Sequence, residues 1–219
     1  MPYLKMNNLD TVVVDFTSHC NAMCGNCSRN IEGVKVNPNM PLGHMTLDTF
    51  KRIVDNSKGI KEIIFNGAYG DPLMNPNLVP ALKYAKKLRC NIMIHTNGGV
   101  GKQNLYRLIA QDLEDLPQGV ITFSIDGLED TNHLYRRHLI WQNIMNNAQA
   151  FIEAGGLARW RMLVFDHNKH QIEECEKLAD NMGFKAFDIN GGYTFSAMNS
   201  IVSEAVEKFK ATKKEEART

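Results

Sequence analysis

Three cysteines, Cys20, Cys24 and Cys27, fall within the segment Cys20-Asn21-Ala22-Met23-Cys24-Gly25-Asn26-Cys27. The spacing C-x3-C-x2-C lets three thiolates turn toward one metal centre, and no fourth cysteine lies nearby. A cubane iron–sulfur cluster normally takes four cysteine ligands, one per iron. With three supplied, one iron keeps an open position, and chemistry can take place there. A structural zinc site is closed by four ligands and shows paired C-x2-C knuckles or a finger spacing. Only Cys24 and Cys27 fit a knuckle, so zinc, with His19, Cys90 or Cys175 as a fourth ligand, stands as the alternative. Disulfides fit poorly. The cysteine total of 5 is odd, and 219 residues bury a core without staples.

Composition sets the class. The chain is 43% apolar and 22% charged, with a formal net charge of +1. These values describe a globular protein of one domain, here residues 1–219, with a core over about 10–190 and a C-terminal helix and frayed tail over 191–219. Near-neutral charge argues against a broad nucleic-acid surface but leaves room for a local phosphate site. No apolar stretch is long enough to span a bilayer. The start, Met1-Pro2-Tyr3-Leu4-Lys5, has no apolar signal core, and a labile cluster with free thiols suits a reducing compartment, so a cytoplasmic location is expected.

The elements that must position the cysteines alternate. Short β-branched runs at Thr11 to Phe16, Glu62 to Asn66, Asn91 to His95, Gly119 to Ile125, Ala158 to Phe165 and Lys185 to Ile189 read as strands. Amphipathic segments between them read as helices. The first opens at Thr46 as N-cap and ends near Asn56. Others cover Asn75 to Leu88, Gln103 to Leu113, Trp141 to Ala154 and Lys169 to Met182, and a last one covers Met198 to Lys213. Residues 28–45 read as loop, broken by Gly33, Pro38, Pro41 and Gly43. Eight βα units would close a barrel of roughly 250 residues. Six units predict an open, partial (β/α)6 barrel of the α/β class with a parallel sheet.

In such sheets ligands bind on the loops after the strands. The cysteines follow the first strand. Asn66-Gly67-Ala68-Tyr69-Gly70-Asp71-Pro72 follows the second, a turn whose glycines admit close backbone approach and whose Asp71 is suited to an ammonium group. Thr96-Asn97-Gly98-Gly99 follows the third. At the end of the fourth, alternation puts Ser124 and Asp126 on one side, a pair suited to a ribose diol. Each loop alone is also an ordinary turn; their order carries the argument.

Taken together, these residues resemble the radical S-adenosylmethionine (SAM) superfamily, and the resemblance runs through most of the chain. Cys20, Cys24 and Cys27 are similar to its C-x3-C-x-φ-C signature for a [4Fe–4S] cluster. Gly70-Asp71-Pro72 resembles its Gly-Gly-Glu type motif, which holds the methionine amino group, with aspartate where glutamate is common. Ser124 and Asp126 resemble its ribose-binding positions. Arg136 resembles the arginine that meets the methionine carboxylate, with Arg137 as its rival. The segment Val164-Phe165-Asp166-His167-Asn168 resembles the adenine-side loop, with Asn168 as the polar contact. Thr96-Asn97-Gly98 resembles a turn frequent in the family, which puts Asn97 among the cofactor-binding residues. The residue before the third cysteine, usually an aromatic near the adenine, is Asn26 here.

The resemblance implies that a reduced cluster cleaves S-adenosylmethionine and that the resulting 5′-deoxyadenosyl radical takes a hydrogen atom from a substrate, with a flavodoxin or ferredoxin as electron donor. It is closest in style to the SPASM/twitch branch that modifies peptides, but no cysteine-rich segment follows Cys27, so one cluster is expected. Cys90 and Cys175 stand singly and read as buried thiols. The substrate expected from that branch is a peptide or protein. The alternatives are a nucleotide or small metabolite, or a non-catalytic cluster- or zinc-binding partner. The loop 28–45 and the segment Asn190 to Phe195 are the candidates for lining the mouth; Tyr193 there reads first as a packed loop aromatic, with a substrate contact or hydrogen donor as the alternative.

Overall fold

The structure is a computed structural model describing residues 9–57, 59–191 and 200–216. Six strands form one parallel sheet in chain order: β1 (Thr11–Asp15), β2 (Glu62–Asn66), β3 (Asn91–Thr96), β4 (Gly119–Ser124), β5 (Leu157–Val164) and β6 (Ala186–Gly191). Each crossover carries helix: α1 (Leu47–Asn56), α2 (Leu78–Lys86), α3 (Gln103–Leu113), the pair α4 (Glu129–Tyr135) and α5 (Trp141–Glu153), and α6 (Ile172–Met182). α7 (Ser200–Glu216) follows β6. This is the α/β partial barrel that the alternation predicts. Tyr193 and the rest of its segment from residue 192 lie outside the described residues.

Alternation along each strand sorts the side chains into two faces. Val14, Ile63, Phe65, Ile92, Ile94, Ile121, Phe123, Trp160 and Met162 are buried in the apolar core under the helices. Phe16, Phe50 and Phe65 meet there with ring centroids 5.3–5.7 Å apart. The other face carries Asp15, Asn66, His95, Thr122, Ser124, Arg159, Arg161 and Asp188. A closed barrel fills that space with branched apolar side chains; here Val13, Ile64, Met93 and Val120 form an apolar layer across it, and the layer toward the carboxyl ends of the strands is polar.

Several boundaries differ from the sequence reading for local reasons. α1 begins as expected, with Thr46 Oγ1 accepting from the Thr49 amide at 3.1 Å. α2 starts at Leu78 rather than Asn75, because Pro72–Met74 forms a separate 3₁₀ turn capped by Asp71. The Asn75 side chain then donates to the carbonyls of Phe16 (2.8 Å) and Met45 (3.0 Å), which holds the chain in a loop. The short α4 has no counterpart in the sequence reading. Neither does the two-stranded turn that pairs Asn30–Ile31 with Lys35–Val36 inside the 28–45 loop. Cys90 and Cys175 are buried in the core, as expected. No described helix is long and apolar enough to cross a membrane.

Candidate active site

At the carboxyl ends of β2 to β5 the loops surround a cavity of about 360 Å³. Its walls include Cys20, Cys24 and Cys27 from the loop after β1, Gly70 and Asp71 after β2, Asn97 after β3, Ser124 at the end of β4, and Arg136. Eight of the ten residues singled out from the sequence therefore share one space.

The cysteine loop is held by buried polar struts. The Arg29 guanidinium donates to the Ser18 carbonyl at 2.9 Å and to Asn30 Oδ1 at 3.0 Å. Asn97 Nδ2 donates to Asn21 Oδ1 at 2.8 Å, and Asn21 Nδ2 returns a bond to the Gly99 carbonyl at 2.9 Å. Three donors aim at these sulfurs: the Ala22 amide and Asn97 Nδ2 reach Cys20 Sγ at 3.4 and 3.5 Å, and Arg136 Nη1 reaches Cys24 Sγ at 3.7 Å. Burial, and then the charge of Asp71, pushes the Cys20 thiol up to about 11. Burial also raises Cys24, against the pull of Arg136. These thiols therefore ionise readily only when a metal centre supplies positive charge.

Among the described residues no three His, Cys, Asp or Glu side chains converge as ligands of one metal ion would. A cluster does not require that convergence, since each thiolate binds a different iron. Three thiols around one cavity, two of them already accepting N–H donors, fit a cluster.

The Gly70-Asp71 turn packs directly on the cysteine loop. A Cβ at Gly70 would run into the Thr17 carbonyl oxygen and lie 2.7 Å from that of His19, so only glycine allows this approach. The Asp71 amide donates to the same His19 carbonyl at 2.8 Å. Its carboxylate is buried and already engaged. Oδ1 accepts from the Leu73 amide at 3.0 Å, and Oδ2 accepts from the Asn97 amide at 2.7 Å and Thr96 Oγ1 at 2.9 Å. Burial raises the Asp71 carboxyl, and these donors oppose the rise. Asp71 thus ties the loops after β2 and β3 together.

Ser124 and Asp126 part ways. Ser124 lines the cavity, whereas Asp126 is fully buried behind it. Asp126 Oδ2 accepts from Arg136 Nε at 2.6 Å and Oδ1 from the Leu163 amide at 2.7 Å. Burial works against the Arg136 charge, but Asp126 and then Cys24 outweigh it, and the guanidinium is held firmly protonated. Arg137 turns the other way and donates to the carbonyls of Glu32 (2.9 Å) and Gly33 (3.2 Å), bracing the two-stranded turn. Between the two arginines, only Arg136 faces the cavity.

Asn168 is also turned inward on the protein. Its Nδ2 donates to the carbonyls of Asp126 (2.9 Å) and Leu163 (2.8 Å), and its Oδ1 accepts from the Phe165 amide at 2.7 Å. It staples β5 to β4 rather than lining the cavity, so the expected side-chain contact to an adenine is not what this geometry offers.

The sequence matches the Radical SAM superfamily over residues 14–179, well over half of the chain. The chain belongs to the radical SAM superfamily, a class of enzymes. Solved structures share the fold. Streptococcus suis SuiB bound to S-adenosylmethionine is 16% identical with a TM-score of 0.70, covering 95% of this chain and 49% of SuiB. The protein anSMEcpe with bound AdoMet is 15% identical with a TM-score of 0.65, covering 90% and 57%. TsrM from Kitasatospora setae, a radical S-adenosylmethionine methyltransferase with cobalamin and a [4Fe–4S] cluster bound, is 10% identical with a TM-score of 0.54, covering 84% and 37%. This radical SAM chain spans about half the length of the first of these. No curated protein matches it by sequence.

Sequence reading missed several residues of this radical SAM site. Arg29, Asn21 and Thr96 hold its loops, and Asn132 Oδ1 accepts from the Asp126 amide at 2.8 Å. Tyr135 and Arg161 line the cavity. Tyr135 could have been found from its place next to Arg136. Asn21 and Thr96 stand inside segments that the sequence singles out, but their roles, like those of Arg29, Asn132 and Arg161, come only from the partners the fold gives them.

Proposed function

We propose that this chain binds a [4Fe–4S] cluster through Cys20, Cys24 and Cys27 and S-adenosylmethionine in the adjoining cavity, and that it acts on a peptide or protein substrate. When bound, the pair supplies reductive cleavage of S-adenosylmethionine and hydrogen abstraction. The convergence of three thiols, the Gly70-Asp71 backbone, Ser124 and Arg136 on one cavity carries this reading.

In this reading the backbone of the Gly70-Asp71 turn accepts the methionine ammonium, and Arg136 binds the carboxylate with the N–H groups that Asp126 and Cys24 leave over. Ser124 hydrogen-bonds the ribose. Asp126 and Asn168 act behind the ligand, the first by aiming Arg136 and the second by setting the end of β5. Asn97 positions the cysteine loop through Asn21. Tyr135 supplies the aromatic surface that Asn26 lacks; its ring lies 4.6 Å, centroid to centroid, from Phe165. The N–H donors on Cys20 and Cys24 sulfur tune the cluster's potential. A flavodoxin or ferredoxin supplies the electron, in the cytoplasm. Residues 1–219 act as one domain.

The peptide assignment draws on SuiB, one of whose structures is bound to the precursor peptide SuiA, with a TM-score of 0.71 to this chain at 17% identity. The test is anaerobic reconstitution followed by electron paramagnetic resonance. The expected result is a cluster signal that shifts on adding S-adenosylmethionine, with 5′-deoxyadenosine formed under reductant. A bound zinc, or a cluster indifferent to S-adenosylmethionine, would overturn the reading.

A further inference from the structure

The sheet face that the helices leave bare carries donors that the proposed cofactor site does not use. In the strand register His95 stands beside Thr122, Thr122 beside Arg159, Ser124 beside Arg161, and Arg161 beside Asp188. Alternation puts all of these on the inner face. Three of them bring buried polar atoms that have no partner among the described residues: Thr122 Oγ1, Arg159 Nε and Arg161 Nε. Thr122 is fully buried. A buried donor without a partner costs folding free energy, and native proteins keep few of them. Three on adjoining positions of one face point to a ligand.

The charges identify its chemistry. Arg159 pairs with Asp188, Nη2 to Oδ2 at 2.8 Å. Arg161 has no ion pair among the described residues, and it lines the same cavity as the three cysteines. Two guanidinium groups against one carboxylate leave an excess of positive charge. His95, which also lines the cavity, registers that excess: burial, then Arg161 and Arg159, lowers its imidazole to about 4 and keeps it neutral. Guanidinium groups donate and never accept, and their planar fork matches two oxygens of one anion.

We propose that Arg161, backed by the unpartnered Thr122 Oγ1 and Arg159 Nε beside it on the sheet, forms a subsite for an oxyanion, a carboxylate or a phosphate, carried by the substrate. Ser124 is the register neighbour of Arg161, so the anion holds the substrate against the ribose side of the cofactor cavity. The anion site stands on this geometry, and its use by a substrate rests on the function proposed above.

Equilibrium dialysis of the anaerobically reconstituted protein against labelled inorganic phosphate and labelled acetate, with and without S-adenosylmethionine, tests it. The wild type retains one of the anions. Arg161→Gln binds it at least tenfold more weakly and Arg161→Lys falls between, while the affinity for S-adenosylmethionine stays within twofold in both. Preference for phosphate assigns a phosphoryl group, and preference for acetate a carboxylate. The proposal is overturned if the wild type retains neither anion, or if Arg161→Gln binds as the wild type does. It is equally overturned if that variant loses S-adenosylmethionine, because Arg161 then belongs to the cofactor. A wild type that takes the anion but not S-adenosylmethionine supports the subsite while sinking the function reading, so the two failures are distinct.

Discussion

Arg136 Nε lies 2.6 Å from Asp126 Oδ2, while Nη1 of the same guanidinium points at Cys24 Sγ from 3.7 Å. One side chain thus connects a fully buried carboxylate at the end of β4 to a thiol in the loop after β1. Removing the carboxylate leaves a buried cation and an unaimed fork, so Asp126→Ala should cost about 3–5 kcal/mol of stability. It should also abolish tight S-adenosylmethionine binding. Denaturant melts and a binding titration on the reconstituted protein measure the two effects.

The cysteines separate by role. Cys24→Ala should reduce iron and sulfide content to background after anaerobic reconstitution, and Cys20→Ala and Cys27→Ala should do the same. Cys90→Ala, in the apolar core, should retain the cluster and lose about 1 kcal/mol to the small cavity it leaves. Retention of a full cluster by Cys24→Ala would show that the ligand set is wrong.

Glycine 70 gives a steric test. Gly70→Ala forces a methyl group against the Thr17 and His19 carbonyl oxygens, both backbone. The loop after β2 must then lift off the cysteine loop, at about 3 kcal/mol by analogy with overpacked cores. S-adenosylmethionine affinity should fall with it. Gly25→Ala, whose Cβ meets nothing within 4 Å, is the control and should melt like the wild type.

His95 sets a pH dependence. Its folded pKa, about 4, lies below the usual 6.5 because of burial, then Arg161 and Arg159. The unfolded chain binds that proton first, so the contribution of His95 is fully present above pH 6.5 and is lost as pH falls from there toward 4. After solvent screening, the loss is on the order of 2 kcal/mol. His95→Gln should flatten this limb of the stability profile, and Arg161→Gln should shorten it from its low-pH end, because removing a repelling charge brings the folded pKa closer to 6.5.

The strands were legible in the chain because each is a short run with apolar residues alternating onto one side, β-branched in the first four, and Glu62–Asn66 matches to the residue. The site was legible as a place: successive loops after strands must share one end of the sheet. Roles were less so. Asp126 and Asn168 look from sequence like ligand contacts, since nothing in their neighbours states that Leu163, Arg136 and each other's loops will occupy their hydrogen-bonding atoms. Those partners arrive from elements 5–42 residues away. α4 escaped because seven residues are too few for a periodic pattern. Arg161 escaped because an arginine alternating with apolar residues in a strand, here with Arg159 two positions before it, reads as solvated until the register shows what stands beside it.

The separation of Cys24 from Arg136 also sets a timetable. The thiol leaves the ribosome 112 residues ahead of the arginine that covers it. Domains fold as units once enough chain has emerged, and long-range contacts form late. For that interval the three thiols are exposed on a nascent chain with no cage around them. A cluster delivered then would meet oxygen and water unshielded, so loading belongs after β5 has docked and Asp126 has drawn Arg136 into place.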